Sequence, residues 1–163
     1  MRVIQSFVGF IGRALLSIIF ISSAVHKFMD WPGTMQYFHL ALTDRLAISV
    51  GHDCVQGIVE WSIANAFALL LAGTLFELLG GLFVFLGFCT RLGSLLLIVF
   101  LISATLLFHN FWDIQGPERQ MQMINFMKNV SICGGLIYIL AMGKGGKRAK
   151  KPETPSSTSK PCT

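Results

Sequence analysis

The sequence predicts an all-α integral membrane protein: a four-transmembrane-helix antiparallel bundle with an extra-cytoplasmic loop and a disordered basic C-terminal tail. Three observations carry this. Hydrophobic residues make up 53% of the 163 residues and charged residues only 13%, about half the charge of an ordinary soluble domain. The apolar residues gather in four runs, each near the ~20 residues a helix needs to cross hydrocarbon. The formal net charge of +5 is concentrated in Lys144, Lys147, Arg148, Lys150 and Lys151, beside the last run. Such a cluster is a topology signal rather than a nucleic-acid site.

The first run covers about 7–28. Arg2 in front and "SSA" at 22–24 give it the look of a signal peptide, but Arg13 interrupts the apolar stretch. A cleaved leader keeps that stretch uncharged, so the run is expected to remain as a span. A loop follows at about 29–62. Within it "TMQYFHLAL" mixes aromatic and polar residues and suits a short interfacial helix. "GHDC" at 51–54 has the composition of a turn. The remaining spans are expected at 63–88, 92–112 and 124–142, with a short polar loop at 109–123. Each must satisfy its own backbone in lipid and is therefore helical.

Residues 1–143 form the transmembrane domain on this reading, and 144–163 form a basic, then Pro/Ser/Thr-rich cytoplasmic tail. Arg2, Arg91 and the tail lie on one side of the membrane. Lys27, Arg45, Arg119 and Lys128 lie on the other. The first side is the more basic, which places both termini in the cytoplasm.

Charges inside spans are costly, and each asks for a partner. Glu77 lies in the middle of the second run, on a face with Gly73, Gly80 and Gly87, which recur every seven residues; Gly81 joins them. Small residues let helices approach closely, so Glu77 is expected to face the bundle. The first run has a matching face of Gly9, Arg13, Ser17, Phe20, Ala24 and Lys27. An Arg13–Glu77 ion pair between helices one and two is expected from these stripes. It can serve structure alone, by fixing helix register. In the fourth run Lys128, Ser131 and Gly135 share a stripe, with Gly134 beside it.

The third run ends in "FHNFW" and the fourth opens around Lys128 and Asn129. With termini inside, His109, Lys128, Asn129 and Lys27 meet at one membrane edge, with Glu77 deeper and Trp112 as an aromatic plate. A quinone head group suits such a rim: its carbonyls accept hydrogen bonds, its ring stacks and its tail prefers lipid. A lone histidine or tryptophan at that depth can equally be structural.

Metal binding is not expected. Cys54, Cys89, Cys133 and Cys162 form no CxxC, disulfide framework or zinc pattern,. The outward His and Met residues form no tight soft-ligand cluster for copper. No dinucleotide fingerprint, haem CxxCH or P-loop occurs, so no covalently bound cofactor is expected.

"GRALLSIIFISSAVHKF" at 12–28 and "FELLGGLFVFLGFCTRLGSLLL" at 76–97 resemble the first two motifs of the DoxX family. "FHNFW" and "QMQMINFMKNVSICGGL" resemble the third and fourth. The resemblance implies a small four-helix protein of the bacterial inner (plasma) membrane. Relatives include a subunit of thiosulfate:quinone oxidoreductase and proteins linked to thiol and oxidative-stress defence. The family pattern falls on Arg13, Lys27, Glu77, Gly80, Gly81, Thr90, Arg91, His109, Trp112, Lys128, Asn129, Gly134 and Gly135.

The expected role is a quinone-linked subunit or accessory of a membrane redox system, without independent enzymatic activity. Its partners are then membrane lipid and a redox enzyme, and self-association is open. The alternative is a non-enzymatic scaffold that recruits a redox enzyme through its loop and tail. A small-solute permease ranks last, because four short helices rarely enclose a pore and no discontinuous span is evident.

Overall fold

The computed structural model describes residues 2–48 and 53–143. Of the turn expected at 51–54, Gly51 and His52 lie outside the described residues, as does the tail at 144–163, while Asp53 and Cys54 instead open a helix. Six helices occur in the order α1 (Arg2–Met29), α2 (Trp31–Ile48), α3 (Asp53–Ala64), α4 (Ala66–Leu86), α5 (Thr90–Phe108) and α6 (Pro117–Met142). Four of them, α1, α4, α5 and α6, are long and apolar enough to cross a membrane. No strand occurs among the described residues.

The spans run antiparallel. α4 packs between α1 and α5, and α6 packs on α5 and meets α1 where Gly135 lies against Leu16. The α4–α5 crossing is the closest approach. A Cβ at Gly80 would come within 2.8 Å of the Leu97 side chain and 3.0 Å of the Gly93 carbonyl, and one at Gly93 within 2.9 Å of the Gly80 carbonyl. Glycine at both positions lets the two backbones touch. On the other flank Gly81 faces Ile21 of α1. The core between them is Phe20, Val84, Leu97, Leu101 and Leu136.

The expected packing glycines divide. Gly80, Gly81 and Gly135 each lie against a neighbouring helix, Gly135 against Leu16. Gly73 is in ordinary contact with Phe100. Gly87 instead stops α4: its φ of 69° is left-handed, and its N–H donates to the Val84 carbonyl,. Gly134 is exposed, and a Cβ there would meet nothing within 4 Å. It is not a packing residue within the chain.

Helix limits also differ from expectation. α5 stops at Phe108, so His109 caps it and Trp112 lies in the following loop. α6 opens at Pro117, well before its apolar stretch, because proline is suited to the first helical position,. The long loop holds two helices, and α2 extends well beyond "TMQYFHLAL". Asp30 starts α2, its Oδ1 accepting from the Gly33 N–H at 3.1 Å,. α3 passes into α4 through Asn65, across which backbone hydrogen bonds continue.

α2 lies over one end of the bundle. Trp31 meets Phe67 of α4 edge-on, and Tyr37 stacks on Phe108 of α5 with centroids 5.3 Å apart. Arg45 closes the far end of this strap. Its guanidinium donates to the Leu106 carbonyl at the end of α5 and pairs with Asp113 at 3.0 Å. We call this the capped end; the start of α1 and the end of α6 lie toward the other.

The two classes of glycine respond differently to substitution. Gly80→Ala drives a methyl into a backbone carbonyl that cannot yield, and it should destabilise the chain by about 1–2 kcal/mol even after the gain in helix propensity. Gly134→Ala should be neutral or slightly stabilising. Thermal unfolding of the detergent-solubilised variants checks both.

Candidate functional site

Glu77 is the buried charge among the described residues, and the half-buried Lys27 is its partner. Glu77 is 2% exposed, on the α4 face that also buries Thr74, Gly80 and Gly81. The α1 stripe read from sequence turns inward as well: Ser17, Phe20 and Ala24 are buried. Lys27 lies in the last turn of α1, where it could extend toward the nearby helix end. Its side chain turns back instead. Nζ donates to Ser23 Oγ at 2.8 Å and to Glu77 Oε2 at 2.5 Å, and it sits 5.2 Å from the centre of the Phe100 ring. A carboxylate at this depth requires such a partner, since an unpaired buried charge is far costlier than a paired one. The pair is unequal: the Lys27 side chain keeps 22% exposure and that of Glu77 3%.

The expected partner of Glu77 was Arg13, and the structure corrects this. Gly81 lies against Phe20 and Ile21, which sets the register of the antiparallel pair. Glu77, one turn along α4, therefore stands at the Lys27 end of α1. Arg13 is fourteen residues from Lys27 on the same helix, about 21 Å at 1.5 Å per residue. It forms no ion pair among the described residues. Its guanidinium lies toward Gly9, nearer the start of α1.

The polar rim at the capped end separates into local pairs. His109 Nδ1 lies 2.7 Å from Gln122 Oε1, tying the end of α5 to α6. Asn129 Nδ2 donates to Thr105 Oγ1 at 2.9 Å, and that hydroxyl donates to the Leu101 carbonyl. Trp112 packs edge-on against Phe111 and Phe126. Lys128 is exposed and makes no hydrogen bond or ion pair with any described residue. Neighbouring residues of a helix are about 100° apart; with Asn129 on α5, Lys128 is turned aside. The expected joint site of Glu77, His109 and Lys128 is not assembled by these contacts.

A different site appears between α5 and α6. A groove of about 350 Å³ runs between them, its walls formed by Leu101, Ile102, Phe126, Val130, Cys133 and Ile137. Asn129 and Thr105 line it as well, but nearly all of the surface it presents is apolar. One amide N–H of Asn129 is spent on Thr105; the other N–H and the carbonyl remain available,. Phe126 joins the groove to the Trp112 cluster. Among the described residues no group of His, Cys, Asp and Glu is placed to hold a metal ion.

Sequence reading missed Ser23, Phe100, Thr105, Gln122 and Arg45. For Ser23 and Thr105 a signal existed: each is a small hydroxyl residue four positions before a singled-out polar residue, and so on the same helical face. Gln122 and Arg45 act across a loop, where helical spacing carries no information.

The DoxX family profile matches residues 8–110. The chain is similar to the inner membrane protein YphA of Escherichia coli (strain K12), with 29% identity over 135 residues that cover 83% of this chain and 82% of the relative. It is similar to the inner membrane protein YqjF of the same organism, with 27% identity over 135 residues covering 83% of each. A shorter stretch of 65 residues is 34% identical to the Surfeit locus protein 4 homolog of Drosophila melanogaster, covering 39% of this chain and 24% of that one. No solved structure matches the chain significantly.

The Lys27–Glu77 pair has a measurable asymmetry. Lys27→Met strands the carboxylate and should destabilise the bundle by about 2 kcal/mol, below the ~3–5 of a wholly buried pair because Lys27 keeps solvent contact. The double variant Lys27→Met/Glu77→Leu should regain most of that loss. Arg13→Gln should leave the coupling between positions 27 and 77 unchanged. A double-mutant cycle on thermal unfolding checks all three.

Proposed function

The chain belongs to the DoxX family of inner membrane proteins, and on that premise we propose that it is a quinone-linked subunit or accessory of a membrane redox system. The observation that carries this reading is the α5–α6 groove: walls that are nearly all apolar, an aromatic side chain, and Asn129 among its lining residues with one N–H that no described residue takes up. Ligand sites of this kind are mostly apolar, with a few placed polar groups.

The residues divide the work by chemistry. The free N–H of Asn129 donates to a ring carbonyl. Thr105 holds the amide in place, its own proton engaged by the Leu101 carbonyl. Phe126 packs on the ring, and Trp112 and Phe111 keep Phe126 from turning away. Ile102, Val130 and Ile137 guide an isoprenoid tail toward lipid. A bound quinone would supply two-electron, two-proton chemistry, with electrons delivered by a redox partner in thiol or oxidative-stress defence. Lys27 and Glu77 act on this reading by fixing the frame rather than by touching the ring. Both termini are cytoplasmic in the proposed topology, on the side of Arg2, Arg91 and the basic tail, and the capped end faces outward. A scaffold without a ligand of its own is the competing reading.

Gently purified protein should release a quinone on extraction, detected by mass spectrometry. Asn129→Leu should raise the quinone Kd about tenfold, the value of one lost hydrogen bond. Absence of any quinone, together with an affinity indifferent to Asn129→Leu, would reject the quinone site and favour the scaffold.

A further inference from the structure

α6 presents a contradiction between composition and surroundings. It is the least apolar of the four spans, yet also the least covered: 6% of its apolar stretch is buried, against 33% for α4. A lone chain in lipid would arrange this the other way, with polar faces inward. The exposed residues sharpen the point. Lys128, Ser131, Gly134 and Tyr138 follow one another in steps of three and four, and all are exposed. The bundle glycines Gly80, Gly81, Gly93 and Gly135 each lie against a neighbouring helix, whereas a Cβ at Gly134, as at Gly12 of α1, would meet nothing within 4 Å; only Gly134 shares its face with a lysine unpaired among the described residues. Gly134 thus offers a close approach that no described helix takes up.

Lys128 indicates what approaches. Inside the apolar stretches of the four spans Glu77 is the single carboxylate, and Lys27 already holds it. Lys128 makes no ion pair or hydrogen bond among the described residues. We propose that this face of α6 docks a transmembrane helix of a different protein, which carries an aspartate or glutamate opposite Lys128 and packs its backbone against Gly134. A second copy of this chain does not fit the charge. Two copies in one membrane, joined symmetrically through this face, would set Lys128 against Lys128. The inference extends the subunit half of the proposed function and rests on Lys128, which does not line the quinone groove; the docking face adjoins that groove at Gly134.

A photoreactive residue at Tyr138, in the full chain in its own membrane, tests this. The expected result is one discrete cross-linked product whose partner peptide is a transmembrane segment containing a carboxylate. Lys128→Glu should cut its yield about tenfold, Lys128→Arg should keep it, and changing the partner's carboxylate to lysine should restore it in Lys128→Glu. Thermal unfolding and quinone affinity of Lys128→Glu should match the unaltered chain, which separates loss of docking from misfolding and from failure of the quinone reading. Cross-links to lipid alone, to a second copy of this chain, to a segment without a carboxylate, or in a yield indifferent to Lys128→Glu would each overturn the proposal.

Discussion

The Lys27–Glu77 pair is the constraint on which the rest of the bundle depends. A carboxylate with 2% exposure in the middle of α4 leaves the fold few choices. It must face another helix, and that helix must bring a cation to its depth. Lys27 does so from the last turn of α1, where the exposed carbonyls of the helix end also favour a positive charge,. Once that contact is made, the offset between α1 and α4 is set: Phe20 and Ile21 meet Gly81, and Phe10 reaches Phe85. A slip of one turn would strand the acid and bring side chains against the tight contact at Gly81. Electrostatics and sterics agree on one register, and that agreement is what makes an antiparallel pair in lipid specific.

From α4 the order passes outward with declining strength. The α4–α5 crossing is fixed by backbone against backbone at Gly80 and Gly93. The α5–α6 contact is fixed by softer means: Asn129 on Thr105, His109 on Gln122, and apolar side chains around Leu136. The groove lies in this looser seam. A site for a bulky, lipid-soluble ring is better placed there than at α1–α4, because a seam held by side chains can part without breaking a buried charge pair. Arg45 supports the arrangement from the capped end. By binding the terminal carbonyl of Leu106 and the side chain of Asp113, it holds α2 across the bundle and fixes the loop that leads to α6.

What was legible in the sequence follows from what lipid imposes. The four spans could be read because hydrocarbon demands helices of a certain length. The inward face of Glu77 could be read because its glycine neighbours share that face at helical spacing. The partner of Glu77 could not. Arg13 and Lys27 lie on the same stripe of α1, and the choice between them is a matter of axial offset, which periodicity within one helix does not contain. The steric lock at Gly81 supplies it. Gly93 passed unnoticed because it stands alone in its run; its meaning appears only when Gly80 is placed across from it. α3 escaped because Asn65 bends a path whose hydrogen bonds continue, so composition shows one apolar segment with a polar preface.

The polar residues at the capped end were read as one rim because they lie at one level, and level was the only coordinate available. Rotation about each helix axis separates them. On α6, Asn129 turns to α5 and its groove, while Lys128 turns aside. Two adjacent residues thus serve two surfaces. The charges of Lys27 and Glu77 are reconciled with each other, while Arg13 on α1 and Lys128 on α6 form no ion pair among the described residues. A fold that spends the single carboxylate of its apolar stretches on Lys27 leaves Lys128 without an acidic partner among the described residues, which is the opening that the proposed partner helix fills. The order of the bundle, firm at α4 and open at α6, leaves α6 as the span with most of its surface free for the proposed partner helix.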